Sequence, residues 1–384
     1  MNKVEELIRQ LCPEGVEYKR LDEIFTISRG RVISKEYLSQ NSGKYPVYSS
    51  QTANNGQIGK IATYDYNGEY LTWTTDGANA GTIFYRNEQF SITNVCGLLK
   101  ANTINVVPKF AYYVLSVVMK SYVSSGMGNP KLMSNVVAKI QIPIPQLPVQ
   151  QEIVTILDTF TQLEAELEAE LEARKKQYEY YRNELLTFGD EVEWKTLGDI
   201  CDIYDGTHQT PKYTNSGVPF VSVQNINNIY GTEKYISLDD FNKYKYKPRK
   251  DDLFMTRIGD IGTCALVEND DPLAYYVTLT LIRMKHRVIL PRFLKHIIES
   301  NIGKSELYKR TLVNAVPIKI NLGDIGKITI PIPPLAEQER IAGILDKFDA
   351  LVNDISIGLP AEIEARRKQY EYYREKLLSF DRAE

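Results

Sequence analysis

No run of about 18 apolar residues occurs in the 384-residue chain, so a membrane-spanning helix is not expected. The first residues alternate charged and apolar side chains and lack the apolar core of a signal peptide, which makes a cytoplasmic protein the expectation. Cysteine is scarce: Cys12, Cys96, Cys201 and Cys264 stand far apart with no C-x-x-C pair. That argues against a zinc site or a disulfide framework and for buried free thiols. Histidine is scarcer still. His208, His286 and His296 all fall in the second half, with no metal-ligand spacing. Gly303-Lys304-Ser305 lacks the leading glycine of a phosphate-binding loop. Asn129-Pro130 continues with Lys131-Leu132, not with the proline and aromatic residue that amino-methyltransferases use. With these constellations missing, catalysis by this chain alone is not expected.

What is present is unevenly distributed. The net charge is −3, yet residues 15–139 carry +5 and residues 191–327 carry +2, while 140–190 carry −6 and 328–384 carry −3. Two basic blocks alternate with two acidic ones, and the local field matters more to a polyanionic partner than the whole-chain balance does.

The chain also repeats itself, which fixes architecture before any element is assigned. Ile140-Gln141-Ile142-Pro143-Ile144-Pro145 returns as Ile328-Thr329-Ile330-Pro331-Ile332-Pro333. Glu172 to Leu186 returns as Glu364 to Leu378 with 12 of 15 positions identical, including an unchanged Lys-Gln-Tyr-Glu-Tyr-Tyr-Arg at 176–182 and 368–374. Val16 to Leu21 matches Val192 to Leu197, and Gly30 matches Gly206. Between these anchors the two copies diverge, so the order is variable globule, constant helix, variable globule, constant helix.

The constant segments have helical periodicity. Ile153, Ile156, Leu157, Phe160, Leu163, Leu167, Leu171, Tyr178, Tyr181, Leu185 and Phe188 recur at spacings near three and four, with Glu164 to Glu170 free of Gly and Pro. One long helix over about 149–187 follows. The second copy keeps the pattern in Ile341, Ile344, Leu345, Phe348, Leu351, Ile355, Ile363, Tyr370, Tyr373, Leu377 and Phe380, but Gly358-Leu359-Pro360 interrupts it. There the helix is expected to kink or split, with Pro360 opening the second part. The Ile-Pro segments ahead of each helix suit edge strands or polyproline geometry. A coiled coil needs one stripe of the helix, whereas identity between copies runs all round it. Duplication alone or a partner-binding surface explains that, and the surface would comprise Tyr178, Tyr180, Tyr181 and Arg182 with Tyr370, Tyr372, Tyr373 and Arg374.

Residues 15–139 and 191–327 hold short β-type runs between Gly, Asn and Asp turns, each closing with a helical stretch at Lys109 to Ser121 and Pro291 to Ser300. They read as α+β domains. The stretch Phe241 to Lys250 interleaves Lys and Arg with Tyr, a pattern that fits either phosphate contact or a solvated surface. Loop residues near the turn signals are the candidates for phosphate or base contact. In the first globule these are Ser50, Gln51, Thr75, Asn79 and Lys131. In the second they are Thr207, His208, Gln209, Lys212, Gln224, Asn225, Arg257 and Lys319.

Gly206-Thr207-His208-Gln209-Thr210-Pro211-Lys212-Tyr213 and Gly217 to Ile226 resemble the opening of a target-recognition domain in specificity subunits of Type I restriction-modification systems. So do both Ile-Pro-Ile-Pro segments, Pro333 to Ile341, and Glu364 to Arg374. The likeness spans essentially the whole chain, with two departures: Gly30-Arg31-Val32-Ile33 replaces the Gly-Thr-His motif in the first globule, and the first helix lacks the Gly-Leu-Pro break. The resemblance implies an α+β fold of two target-recognition domains, separated by two long antiparallel helices that form a coiled coil with a pseudo-two-fold internal repeat. The divisions expected are 1–14 for an N-terminal helix, 15–148 and 191–336 for the recognition domains, and 149–190 and 337–384 for the helices. It implies a DNA-binding, non-catalytic subunit that reads a bipartite duplex site and docks two methyltransferase (modification) subunits. Those partners would bring S-adenosylmethionine and, with restriction and translocase subunits, ATP and Mg; no cofactor is expected in this chain. A decoy or regulator that binds DNA without a methyltransferase, and a protein-binding scaffold, are the competing readings.

Overall fold

With no Gly or Pro after its first turn, the segment following the first Ile-Pro strand forms one unbroken helix, Leu147–Leu185. Its start, two residues earlier than expected, places Pro148 where a missing N–H costs nothing. The second copy splits: one helix spans Leu335–Asn353 and the next Leu359–Leu377, with Pro360 in the first turn of the latter. The structure, a computed structural model, describes residues 3–124, 128–189, 191–285, 287–354 and 356–383. His286 and Ile355, named above, lie outside them. No helix among the described residues is long and apolar enough to cross a membrane.

The chain divides into two units, Met1–Glu166 with Glu364–Glu384, and Leu167–Ile363. Unit 1 thus combines the first globule, the first half of the long helix and most of the last helix. Its six-stranded sheet runs in the order Phe25–Arg29, Cys96–Ala101, Tyr66–Thr74, Ile83–Ile92, Ser42–Tyr48 and Gln57–Ile61. All neighbours are antiparallel except Ser42–Tyr48 with Ile83–Ile92, where Val47 pairs Ser91 in parallel. Unit 2 repeats the first four places of this order in its four-stranded sheet, Cys201–Asp205, Leu279–Met284, Leu253–Ile258 and Asp260–Leu266. A separate three-stranded sheet holds Val218–Val221, paired in parallel with Ala274–Tyr275. The helical stretches expected to close the globules appear as Pro108–Val118 and Pro291–Glu299.

The repeated anchors turn out to be each other's partners. Tyr18–Arg20 pairs antiparallel with Gln141–Pro143, and Glu193–Thr196 with Thr329–Ile332, so the Ile-Pro segments are strands of two-stranded ribbons, where proline is tolerated. At the residue after each ribbon the Leu21 N–H donates to the Ile140 carbonyl (2.9 Å) and the Leu197 N–H to that of Ile328 (2.8 Å).

Each globule is then fixed to its helix by a fully buried glutamine. Gln150 Nε2 donates to the carbonyls of Asn105 (2.9 Å) and Pro145 (2.7 Å), while its Oε1 accepts from the Val107 N–H (2.9 Å). Gln338 does the same with Val288 (2.9 Å), Pro333 (2.8 Å) and Leu290 (2.8 Å). A neighbouring aspartate supports each clamp with different chemistry. Asp158 accepts from the Tyr113 hydroxyl and from Lys109 (2.7 Å), whereas Asp346 lies 2.7 Å from His296 Nε2 and 2.8 Å from Arg292 Nη1. Burial raises the Asp346 carboxyl, but the hydrogen bond and charge of His296, followed by those of Arg292, overcome it and hold the group below the ordinary carboxylate range.

The helices pair through aromatic side chains. In unit 1 Phe160 stacks on Tyr373 (5.6 Å between centroids) and tilts against Tyr370 (6.2 Å), and Glu164 pairs with Arg367, so the two segments run antiparallel. In unit 2 Phe348 stacks on Tyr178 (6.2 Å) and Tyr181 (5.7 Å) in the corresponding arrangement. The unit 1 core gathers Val4, Leu71, Trp73, Leu99 and Phe110 with Ile153 and Leu157 of the helix, and the unit 2 core gathers Phe293, Leu294 and Ile297 with Ile341 and Leu345. Burying each such side chain contributes about 1.5–3 kcal/mol. Unit 1 also joins distant segments: the Val16 N–H donates to the Asp381 carbonyl (2.9 Å) and the Ala383 N–H to that of Val16 (3.1 Å).

Removing the glutamine amide strands three backbone groups, each costing about 1–3 kcal/mol when left unsatisfied. Gln150→Ala is expected to destabilise unit 1 by about 3 kcal/mol or more, and Gln338→Ala unit 2 by a similar amount. Hydrogen exchange reads this directly: lost protection stays within the mutated unit, and an equal loss in both would contradict the clamp.

Candidate nucleic-acid interface

The five candidates of the first globule gather in one loop cluster. Ser50 Oγ accepts from the backbone N–H groups of Thr75 (3.0 Å) and Asp76 (3.4 Å) and donates to the Val95 carbonyl. Gln51 Nε2 donates to the carbonyls of Gln57 (2.7 Å) and Ala53 (3.3 Å), which pins the turn Ala53–Gly56. Asn79, exposed, donates to Thr52 Oγ1 (3.2 Å). Lys131, also exposed, has its Nζ 3.9 Å from Asp76 and a backbone bridge to the same residue. Thr75 corrects the sequence expectation. Its side chain is fully buried and its hydroxyl bonds the Val95 carbonyl (2.8 Å) and Asp76, so it holds the loop and offers nothing outward. In this cluster Asn79 and Lys131 are the side chains open to solvent.

In the second globule the strand Cys201–Asp205 runs into Gly206, where a Cβ would collide with the Tyr276 backbone. Gly30 meets Ile92 in the same way, which explains sterically why this glycine appears in both copies. Asp205 is the hub of the loops that follow. Its carboxylate accepts two bonds from Arg257 Nη2 (2.8 and 2.9 Å) and lies 2.8 Å from His208 Nε2. Thr207 Oγ1 accepts from the Gln209 N–H (3.3 Å) and caps the turn. His208, Gln209 and Lys212 are exposed. Gln224 is exposed with Lys234 Nζ at 3.4 Å, whereas Asn225 turns back onto Ser222 (3.4 Å) and shapes its own turn.

Arg257 is a second correction. It is 7% exposed, donates through Nη2 to both Asp205 oxygens and through Nη1 to the Ile320 carbonyl (3.2 Å), so it organises the interface from beneath. Lys319 is exposed, with its backbone bridging Ile258 and Leu312. Asp205 itself was missed by sequence reasoning, because an acid beside an expected anion site reads as a misfit until its arginine is known. The Phe241 to Lys250 stretch signalled itself by composition, and its residues Lys243 to Tyr246 face the Thr207 loop across a cavity of about 500 Å³. Asp240 there, bonded first by Lys243 and then by Ser237, is held below the ordinary carboxylate range.

The tyrosine and arginine set on the helices separates by burial. Tyr178 is buried against Phe348 and His296, and desolvation followed by the charge of Asp349 pushes its phenol well up. Tyr181, Tyr370 and Tyr373 pack on Phe348 or Phe160, while Arg182 and Arg374 lie over Tyr178 (4.9 Å) and Tyr370 (5.2 Å) one turn earlier. These six are wholly or partly engaged within the fold, and as a free docking surface Tyr178 in particular is corrected. Tyr180 and Tyr372 differ: each is 62% exposed.

The ion pair of buried Arg257 with half-buried Asp205 gives a clear contrast. Arg257→Ala is expected to destabilise unit 2 by about 1–3 kcal/mol, because the Ile320 carbonyl and Asp205 lose their donor while Asp205 stays partly solvated beside His208. Lys319→Ala is expected to stay within about 0.5 kcal/mol. Denaturant unfolding measures both, and equal effects would remove the positioning role from Arg257.

Comparison with known proteins adds independent observations. Residues 13–173 and 189–365 each match the family described as type I restriction modification DNA specificity domain. The specificity subunit of the type I restriction enzyme EcoR124I/EcoR124II of Escherichia coli is 35% identical over 300 residues, covering 72% of this chain and 72% of that one. A Mycoplasma pneumoniae protein provisionally named a type I specificity subunit is 33% identical over 366 residues, covering 94% of this chain and 97% of its own. The crystal structure of the S subunit of a Type-I restriction-modification system from M. genitalium shares the fold with a TM-score of 0.63 at 15% identity, covering 95% of this chain and 96% of that one.

Proposed function

Because the chain belongs to the type I restriction modification DNA specificity family, we propose that each globule reads one half of a bipartite duplex site while the helices dock two methyltransferase subunits. The observation that carries this reading is the repeat: two globules share a four-strand order, anchor ribbons and the glutamine clamp, yet differ in sequence at the loops after Gly30 and Gly206. Loops on a common frame can carry two different specificities, and alike helices can bind two copies of one partner. Exposed lysines and amides, Lys131 and Asn79 in one cluster and Lys212, Gln209 and Lys319 in the other, suit phosphate and base-edge contacts.

The chemistry in this reading belongs to the partners. The chain is a non-catalytic subunit that works in the cytoplasm, and S-adenosylmethionine reaches the complex on the methyltransferase subunits. ATP and Mg arrive with restriction and translocase subunits where these join. Tyr180 and Tyr372, equally exposed at corresponding positions, support one docking point per helix set.

Two experiments test the reading. Replacing residues 191–327 with the corresponding globule of a relative is expected to change one half of the methylated sequence mapped on genomic DNA and to leave the other half intact. A simultaneous change in both halves would overturn separate reading. Tyr180→Ala or Tyr372→Ala is each expected to leave a complex with one methyltransferase subunit, and the pair to leave none, with unfolding shifted by less than about 0.5 kcal/mol. Full stoichiometry in the double variant, measured by native mass, would place docking elsewhere.

A further inference from the structure

The cavity of unit 2 lies between Gly206–Lys212 on one side and Asp240–Tyr246 on the other. Its charges do not balance. Both carboxylates on its wall are already neutralised, Asp205 by Arg257 (2.8 Å) and Asp240 by Lys243 (2.6 Å). Lys212 and Lys245 are exposed, and neither has a carboxylate within 4 Å among the described residues; Lys245 Nζ rests 4.9 Å from the centre of the Tyr246 ring. On the cavity wall the Tyr244 hydroxyl is buried, with the Thr207 side chain as its polar neighbour and no well-formed hydrogen bond. A buried donor left unsatisfied costs about 1–3 kcal/mol, so a ligand that supplies acceptor oxygens is favoured. Lys212 and Lys245, which line the same cavity and are not ion-paired with a carboxylate within 4 Å among the described residues, select an anion. At the corresponding place in unit 1, Gly30 is followed by Arg31, whose guanidinium is bonded to Asp65 (3.0 Å) and lies over Tyr37 (5.0 Å). That cation is spent within the fold, so the arrangement is particular to the second globule.

We propose that this cavity seats one phosphodiester of the DNA backbone, held by Lys212, Lys245 and the Tyr244 hydroxyl, and that it fixes the register of the second globule on its half-site. The inference rests on the DNA-reading function above and adds the residues that position the globule without reading bases. A contact of this kind weakens every sequence alike when it is lost and leaves the recognised sequence unchanged.

The test uses the full chain assembled with its methyltransferase subunits and a duplex carrying its mapped site. Lys212→Ala and Lys245→Ala are each expected to flatten the plot of log affinity against log salt by about 0.9, and together by about 1.8. Tyr244→Phe is expected to lower affinity with the slope unchanged. A neutral methylphosphonate at the seated position is expected to abolish the difference between wild type and the lysine variants, and elsewhere to preserve it. Free phosphate in the cavity would give no such position dependence. Unchanged slopes in both lysine variants, or a difference that survives a methylphosphonate at every position, would overturn the seat. A wild-type complex with no salt-dependent duplex binding would overturn the function beneath it.

Discussion

A buried amide side chain placed at the first turn of a helix is the constraint from which the rest of each unit follows. Gln150 and Gln338 each bond three backbone groups: the carbonyl of the segment that precedes the helix, and a carbonyl and an N–H in the loop that leads into the globule's own helix. Three segments far apart in sequence are thereby fixed at one point. A carboxylate there would meet two carbonyl oxygens, and an ammonium would have no way to accept the N–H. Only an amide offers two donors and an acceptor with the required reach.

Around that point the two units use different residues for equivalent work. Tyr113 and Lys109 on Asp158 correspond to His296 and Arg292 on Asp346, so one donor pair is exchanged for another while the acceptor is kept. The Phe160 stack with Tyr370 and Tyr373 corresponds to the Phe348 stack with Tyr178 and Tyr181. This tolerance separates a frame that must be preserved from loops that need not be. Thr75 and Arg257 belong to the frame although they sit directly beneath the outward loops, since each is spent on internal bonds.

The large features were legible in the sequence because they rest on local or repeated patterns. Helix periodicity located Leu147–Leu185 to within two residues, the Gly-Leu-Pro break marked the split before Leu359, and the alternating Ile-Pro segments are edge strands. The fate of single side chains was not legible, because it depends on partners far along the chain. Arg257 looks like an available cation until Asp205, on another strand, is seen to hold it. Tyr178, Tyr180 and Tyr181 are adjacent and alike in the sequence, yet helical geometry turns one inward, one onto Phe348 and one into solvent. Gln338 stood in a motif that could be quoted, but its role needs the carbonyl of Val288 to be placed against it.

The division of segments between units has a consequence for synthesis on the ribosome. Unit 2 is one continuous stretch, Leu167–Ile363, and can complete its core as soon as its last residue is clear of the exit tunnel. Unit 1 is begun first yet lacks residues 364–384 until after that. At about 5–20 residues per second, the roughly 200 residues between its two parts correspond to about 10–40 s. Throughout that interval Phe160 waits for Tyr370 and Tyr373, and Val16 for Asp381 and Ala383. The earlier-made globule is therefore the later one to finish, and its uncovered helix face is the part of the nascent chain that most needs protection from wrong partners.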